Sequence, residues 1–391
     1  MAFTRAFSTL LLAGLVMVQI TACTIDQKTD GAAQSVAPTT SVVVAQAPQA
    51  SVKDGASKVP PNKPVLVKSL GDGLSSVTMT NEEGYQVKGE MDADMMGWTT
   101  AEDLGFNREY TLVATDKNGE KTTAAFSTIK PNSLVNTSLA PLDGAEVGVG
   151  QTIAVIFDSY VENRKAVQDA IRITTEPKVD GAFYWISNQQ VRWRPETFWE
   201  PGTKVSVDAN LYGIELADGV YANNGNKADF TIGSRVEAIV DDSTKAMTIF
   251  KDGEAVKTMP VSLGSDKWPT PNGIYIIGDQ YESLLMDSST FGLSVADGGY
   301  RTPVSYATQM SYSGIFVHAA PWSLGAQGNS NVSHGCVNVS TENAAWFQNF
   351  VKRGDIVTVK NTKGGILSVY DGLGDWNIEW EQWKAGNASI S

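Results

Sequence analysis

Histidine and cysteine are almost missing from this 391-residue chain, which has two of each. Two cysteines, one of them at position 23, cannot build the disulfide framework of a small exported scaffold. Beyond position 23, two histidines and one cysteine offer only three metal ligands at spacings unlike the usual zinc sites, so neither a metal nor a cofactor is expected. Basic residues are outnumbered, with 30 Lys and Arg against 43 Asp and Glu, for a formal net charge of −13. That sign of charge excludes nucleic acid as a partner, because phosphate binding needs a basic surface. After the first two dozen residues no apolar run is long enough to span a membrane.

What is present begins with an address. Residues 1–7 carry one basic side chain, Arg5, and residues 10–20 are almost wholly apolar. This reads as a secretory signal occupying residues 1–22. The run Ile20-Thr21-Ala22-Cys23 resembles a bacterial lipoprotein cleavage box, so Cys23 is expected to carry the lipid that holds the exported protein at the cell membrane, facing the periplasm and wall. The alternative is a plain signal peptide in which Cys23 plays no part. Under either reading Cys336 is left without a disulfide partner, and a lone cysteine in an exported chain points to a reactive thiol.

Cys336 lies in Ser333-His334-Gly335-Cys336-Val337-Asn338, and the second histidine, His318, ends the apolar run Gly314-Ile315-Phe316-Val317. A thiol and an imidazole are the minimum equipment for acyl transfer through a cysteine nucleophile. The thiolate attacks a carbonyl, and the imidazole takes the thiol proton and returns one to the leaving amine. Gly335 tolerates unusual backbone angles, and the N–H groups around Gly335 and Cys336 are candidate oxyanion donors.

With 42% hydrophobic and 9% aromatic residues the chain can bury several cores, and its length suits two to four domains. Residues 24–61 lack aromatic side chains and read as a flexible linker. Residues 62–130 show short alternating runs, with Asn118-Gly119 between two of them, a strong hairpin signal. Residues 131–234 repeat the pattern, with strands expected at 152–157, 182–186, 191–194 and 204–211 and a helix within 162–171. Tyr184, Trp185, Trp193 and Trp199 are read as core. Both units look like antiparallel β sandwiches acting as spacers. In residues 235–361 a hairpin is expected between 240–250 and 255–259, and a helix capped by Ser340 or Thr341 follows the cysteine motif. In the tail, 362–391, Trp376, Trp380 and Trp383 stand at helical spacing, a docking stripe.

His318, a gap of fourteen residues, the Ser-His-Gly-Cys-Val-Asn motif and the Thr270-Pro271-Asn272-Gly273 turn together resemble the YkuD-type L,D-transpeptidase catalytic domain. The whole chain resembles the mycobacterial and actinobacterial lipoprotein members: lipobox, linker, two immunoglobulin-like domains, catalytic domain and Trp-rich tail. The resemblance implies a mainly β fold and 3→3 cross-linking of peptidoglycan. A Cys336 thioester would form with a tetrapeptide donor, D-alanine would leave, and the side-chain amine of diaminopimelate on a second stem would accept. Carbapenem β-lactams would be covalent inhibitors. It also implies that the Ala319 carbonyl orients His318, where relatives carry serine. His334, Asn338, Ser333, Tyr300, Met286, Trp322 and Ser313 would line the substrate site. The same acyl-enzyme could serve an L,D-carboxypeptidase or attach a protein to peptidoglycan; a wall-binding protein with a vestigial motif is the non-catalytic alternative.

Overall fold

The computed structural model describes residues 46–389, and the signal, Cys23 and most of the expected linker lie outside them. The chain is mainly β, built from two sandwiches and a two-sheet C-terminal unit.

The first sandwich begins earlier than expected. Strands Gln49–Ala50 and Ala56–Val59, placed by the sequence reading in a flexible linker, pair with Leu66–Lys68 and Lys121–Thr128. A stretch without aromatic residues orders here because Ala50, Val52, Ala56 and Val59 pack against a core made elsewhere, by Leu74, Trp98, Leu112 and Phe126. Strands Glu109–Asp116 and Lys121–Thr128 form the Asn-Gly hairpin. There Gly119 sits at φ +86°, and Asp116 Oδ1 accepts from the Asn118 and Glu120 N–H groups.

In the second sandwich, Ile153–Phe157, Gln190–Pro195 and Gly181–Ser187 share one sheet. Lys204–Ala209, Asn226–Ile232 and Ile171–Glu176 share the facing one. The helix Arg164–Asp169 is capped by Asn163. All four aromatic residues assigned to the core are buried.

The C-terminal unit places a five-stranded sheet against a four-stranded one. The first runs Glu254–Pro260, Ala246–Lys251, Val236–Asp241, Ile356–Lys360, Gly273–Ile276. Residues 240–250, expected as one arm of a hairpin, are two strands. Asp241 Oδ1 accepts from the Ser243 N–H and Lys245 takes φ +51°, so side-chain turn chemistry breaks the run. The second sheet runs Gln280–Asp287, Arg301–Gln309, Phe316–Ala319, Val337–Val339. Helix Thr341–Phe350 starts at Ser340, whose side chain accepts from the Asn343 N–H, and buries Ala344 and Phe347 in the core between the sheets.

The tail does not form one helical stripe. Trp376 sits in a 3-10 turn, Asp375–Asn377, and only Trp380 and Trp383 share the helix Trp380–Ala385. The three indoles instead converge on the Arg194 guanidinium, at 4.5, 5.5 and 4.5 Å from the ring centres. Asp375 pairs with buried Arg192 at 3.1 Å, while Asn377 bonds both backbone groups of Ile274 in the C-terminal unit. Gly148 and Gly150 of the second sandwich donate to the carbonyls of Arg353 and Gly354.

Candidate active site

Two neighbouring parallel strands bring the thiol and the imidazole together. In the register of Phe316–Ala319 with Val337–Val339, His318 lies opposite Asn338. Side chains alternate along a strand, so Cys336, two residues before Asn338, projects to the same face as Asn338 and His318. Val317, Val337 and Val339 point the other way, into the core. Apolar packing on one face therefore sets the angle of the reactive groups on the other.

His318 Nδ1 lies 2.9 Å from the Ala319 carbonyl oxygen. A carbonyl only accepts, so Nδ1 carries the proton and Nε2 keeps its lone pair. The contact uses the backbone, which is why alanine serves at this position. Both reactive groups are 4% exposed. Burial pushes the Cys336 thiol up to about 12, opposed by the Phe316 N–H, and holds the His318 imidazole below its usual value, opposed by the bond to Ala319. Both shifts disfavour a resting thiolate–imidazolium pair. The thiol itself lies 3.5 Å from the Gly314 carbonyl.

Ser333 braces the turn that carries Cys336. Its hydroxyl donates to the Cys336 carbonyl at 2.7 Å and accepts from the Gly335 N–H at 3.1 Å. The Gly335 N–H, expected as a free oxyanion donor, is thus committed within the loop. Gly335 itself takes φ +122°, and a Cβ there would meet nothing closer than 3.9 Å. The glycine is required by backbone angle and not by crowding.

These groups open onto a cavity of about 350 Å³ lined by Met286, Tyr300, Trp322, Ser333, His334, Asn338, His318 and Cys336. Ser313 is not among the lining residues. It sits on an exposed turn before the strand, where its N–H donates to Asp371, because the chain reverses at residues 311–314. His334 stacks on Trp268 with ring centres 4.0 Å apart, meets Tyr300 edge-on at 5.0 Å, and donates through Nε2 to the Gly298 carbonyl at 3.0 Å. Burial raises the Tyr300 phenol above its usual range. Trp322, 60% exposed, stands at the mouth, its ring 6.1 Å from that of His318. Asn338 donates to Ser323 Oγ at 3.3 Å, while its buried Oδ1 has no partner among the described residues.

Sequence reasoning missed Thr302, Val304 and Val332, which also line the cavity. Strand alternation from Tyr300 predicts the first two, and the pairing of Met286 with Thr302 puts both at one level of the sheet. No local signal marks Trp268 as the ring on which His334 stacks.

Residues 235–359 match the family described as the L,D-transpeptidase catalytic domain, and residues 56–215, across both sandwiches, match a bacterial Ig domain. L,D-transpeptidase 2 of Mycobacterium tuberculosis is 52% identical over 343 residues, 87% of this chain and 84% of that protein. L,D-transpeptidase 5 of the same species is 33% identical, over 86% of this chain and 75% of that one. A solved LD transpeptidase in complex with imipenem aligns at 37% identity and a TM-score of 0.50, over 57% of this chain and 97% of that one.

Proposed function

The chain belongs to the L,D-transpeptidase family, and from that premise we propose that Cys336 and His318 make 3→3 peptidoglycan cross-links through a thioester. The observation that carries this reading is a buried free thiol sharing a sheet face with an imidazole whose Nδ1 is committed to the Ala319 carbonyl. That arrangement leaves Nε2 to act as base. As Cys336 Sγ attacks the carbonyl of the third residue of a tetrapeptide stem, its proton passes to Nε2. The tetrahedral intermediate collapses, the bond to D-alanine breaks, and the D-alanine nitrogen leaves with that proton. The diaminopimelate side-chain amine of a second stem then attacks the thioester, loses a proton to Nε2, and releases the thiol. Because burial disfavours a thiolate–imidazolium pair before substrate binds, proton transfer accompanies attack on bound substrate in this reading.

Tyr300, Met286, Trp322, His334 and Asn338 form the substrate walls in this reading, Asn338 offering its unpartnered Oδ1 to a substrate N–H. Ser333 acts within the protein, on the loop. Carbapenems would acylate the same thiol, as the imipenem complex of the solved relative suggests. Export and lipidation on Cys23 would hold the catalytic unit at the cell membrane facing the wall; a lipid mass shift on the N-terminal peptide tests that.

The deciding experiment uses a soluble protein beginning at Gln46, since the first sandwich needs its two leading strands, mixed with disaccharide-tetrapeptide and followed by mass spectrometry. A dimer lighter by one D-alanine, made by wild type and not by Cys336→Ala, is the expected product. Tripeptide without dimer would assign hydrolysis in place of cross-linking. Absence of both adduct and product would refute catalysis on free stems.

A further inference from the structure

The fully buried hydroxyl of Thr270 lies between two backbone groups. It accepts from the Gly264 N–H at 2.9 Å and lies 2.8 Å from the Gly335 carbonyl oxygen. A hydroxyl has one hydrogen, and a carbonyl can only accept, so that hydrogen is directed at Gly335. The carbonyl of Gly335 and the N–H of Cys336 belong to one planar trans peptide unit and point in opposite directions. Holding the carbonyl toward the interior aims the Cys336 N–H away from Thr270.

Three peptide units surround the nucleophile, and two hydroxyls hold them. Ser333 fixes the unit before Gly335 and the unit after Cys336, through the Gly335 N–H and the Cys336 carbonyl. The unit between them, which carries the Cys336 N–H, is held by Thr270. With the Gly335 N–H committed to Ser333, the Cys336 N–H is a candidate oxyanion donor of this turn. Glycine at φ +122° has a wide choice of backbone angles, so without a tether this peptide can rotate. The tether is itself rigid. Thr270 stands between Pro269 and Pro271, and a Cβ on Gly264 would lie 2.1 Å from the Trp268 carbonyl oxygen. Ser265 donates to the Ser333 carbonyl at 2.9 Å, joining the two loops again.

The geometry points to Thr270 as a positioning residue for the oxyanion donor: its hydroxyl sets the plane of the Gly335–Cys336 peptide and so the direction of the Cys336 N–H. This rests on the reading of Cys336 as the acylated nucleophile.

The test separates a reaction that develops an oxyanion from one that does not. Imipenem acylation needs the donor; displacement of iodide from iodoacetamide by the same thiol does not. Thr270→Val keeps the shape and removes the hydroxyl. It should slow acylation by about 10- to 100-fold, somewhat less than outright loss of a donor, and leave the alkylation rate within about twofold. Thr270→Ser, which restores the hydroxyl, should recover most of the acylation rate. If Thr270→Val does not fold, Thr270→Ala, which also removes the hydroxyl, takes its place with the same expected split. Parallel loss of both reactions, or failure of serine to rescue, would make Thr270 a folding residue only and overturn the proposal. No imipenem adduct on wild-type Cys336, with alkylation normal, would overturn the nucleophile reading and this one with it.

Discussion

Asp355 offers a test of the seam between the second sandwich and the catalytic unit. It is fully buried just before strand Ile356–Lys360, where the Gly148 and Gly150 N–H groups bond the carbonyls of Arg353 and Gly354. Its Oδ2 accepts from the Lys352 N–H at 2.8 Å, and its Oδ1 has no partner among the described residues. Burial pushes the carboxyl from 3.8 up to about 7; the Lys352 N–H and charge pull it down, and Glu146 pushes it further up. Because the folded value is raised, the native state holds a proton that the unfolded chain releases above 3.8. Stability from this group is therefore complete below that pH and is lost as pH rises to 7, at about 1.4 kcal/mol per pH unit. Over the whole window the loss is about 4 kcal/mol. Asp355→Asn removes the titration. Urea unfolding of both proteins at pH 5 and pH 8 should show the difference moving in favour of the variant by about 3 kcal/mol between the two. A difference of equal size at both pH values would refute the argument, because the penalty would then lie in packing and not in charge.

Two further outcomes follow from the same physics. Asp375→Ala leaves the Arg192 guanidinium buried without its counter-charge, so stability in urea should fall by about 3–5 kcal/mol; a loss below about 1 kcal/mol would mean that solvent reaches the pair. Alkylation of Cys336 by iodoacetamide should be slow at neutral pH and keep rising beyond pH 9, since burial raises the thiol and lowers the imidazole. Urea-unfolded protein should instead approach its plateau above the ordinary thiol value of about 8.5. A native plateau below pH 7 would reveal a preformed ion pair.

Elements whose cause lies within a few residues were legible along the chain. Asn118-Gly119 makes a hairpin because glycine there accepts a positive φ. Ser340 starts a helix because its side chain meets an N–H three residues on. The chemistry was legible too, since beyond position 23 one thiol and two histidines leave few other partners for either. The tertiary structure alone decided the contacts between distant segments. The resemblance places Ser313 at the substrate site, yet the chain reverses there and its N–H bonds Asp371 on an exposed turn. Residues 49–59 read as linker for want of aromatic side chains, yet they close a core supplied by residues up to 126. Trp376, Trp380 and Trp383 suggested one helix, and Arg194, more than 180 positions earlier, gathers them around its guanidinium. Thr270 looks like an ordinary turn residue until its hydroxyl is seen against the Gly335 carbonyl, 65 positions away. Turn and cap preferences act on the local backbone and are written locally. Burial and buried hydrogen bonds depend on which segments share the interior, and folding brings those together from anywhere in the chain.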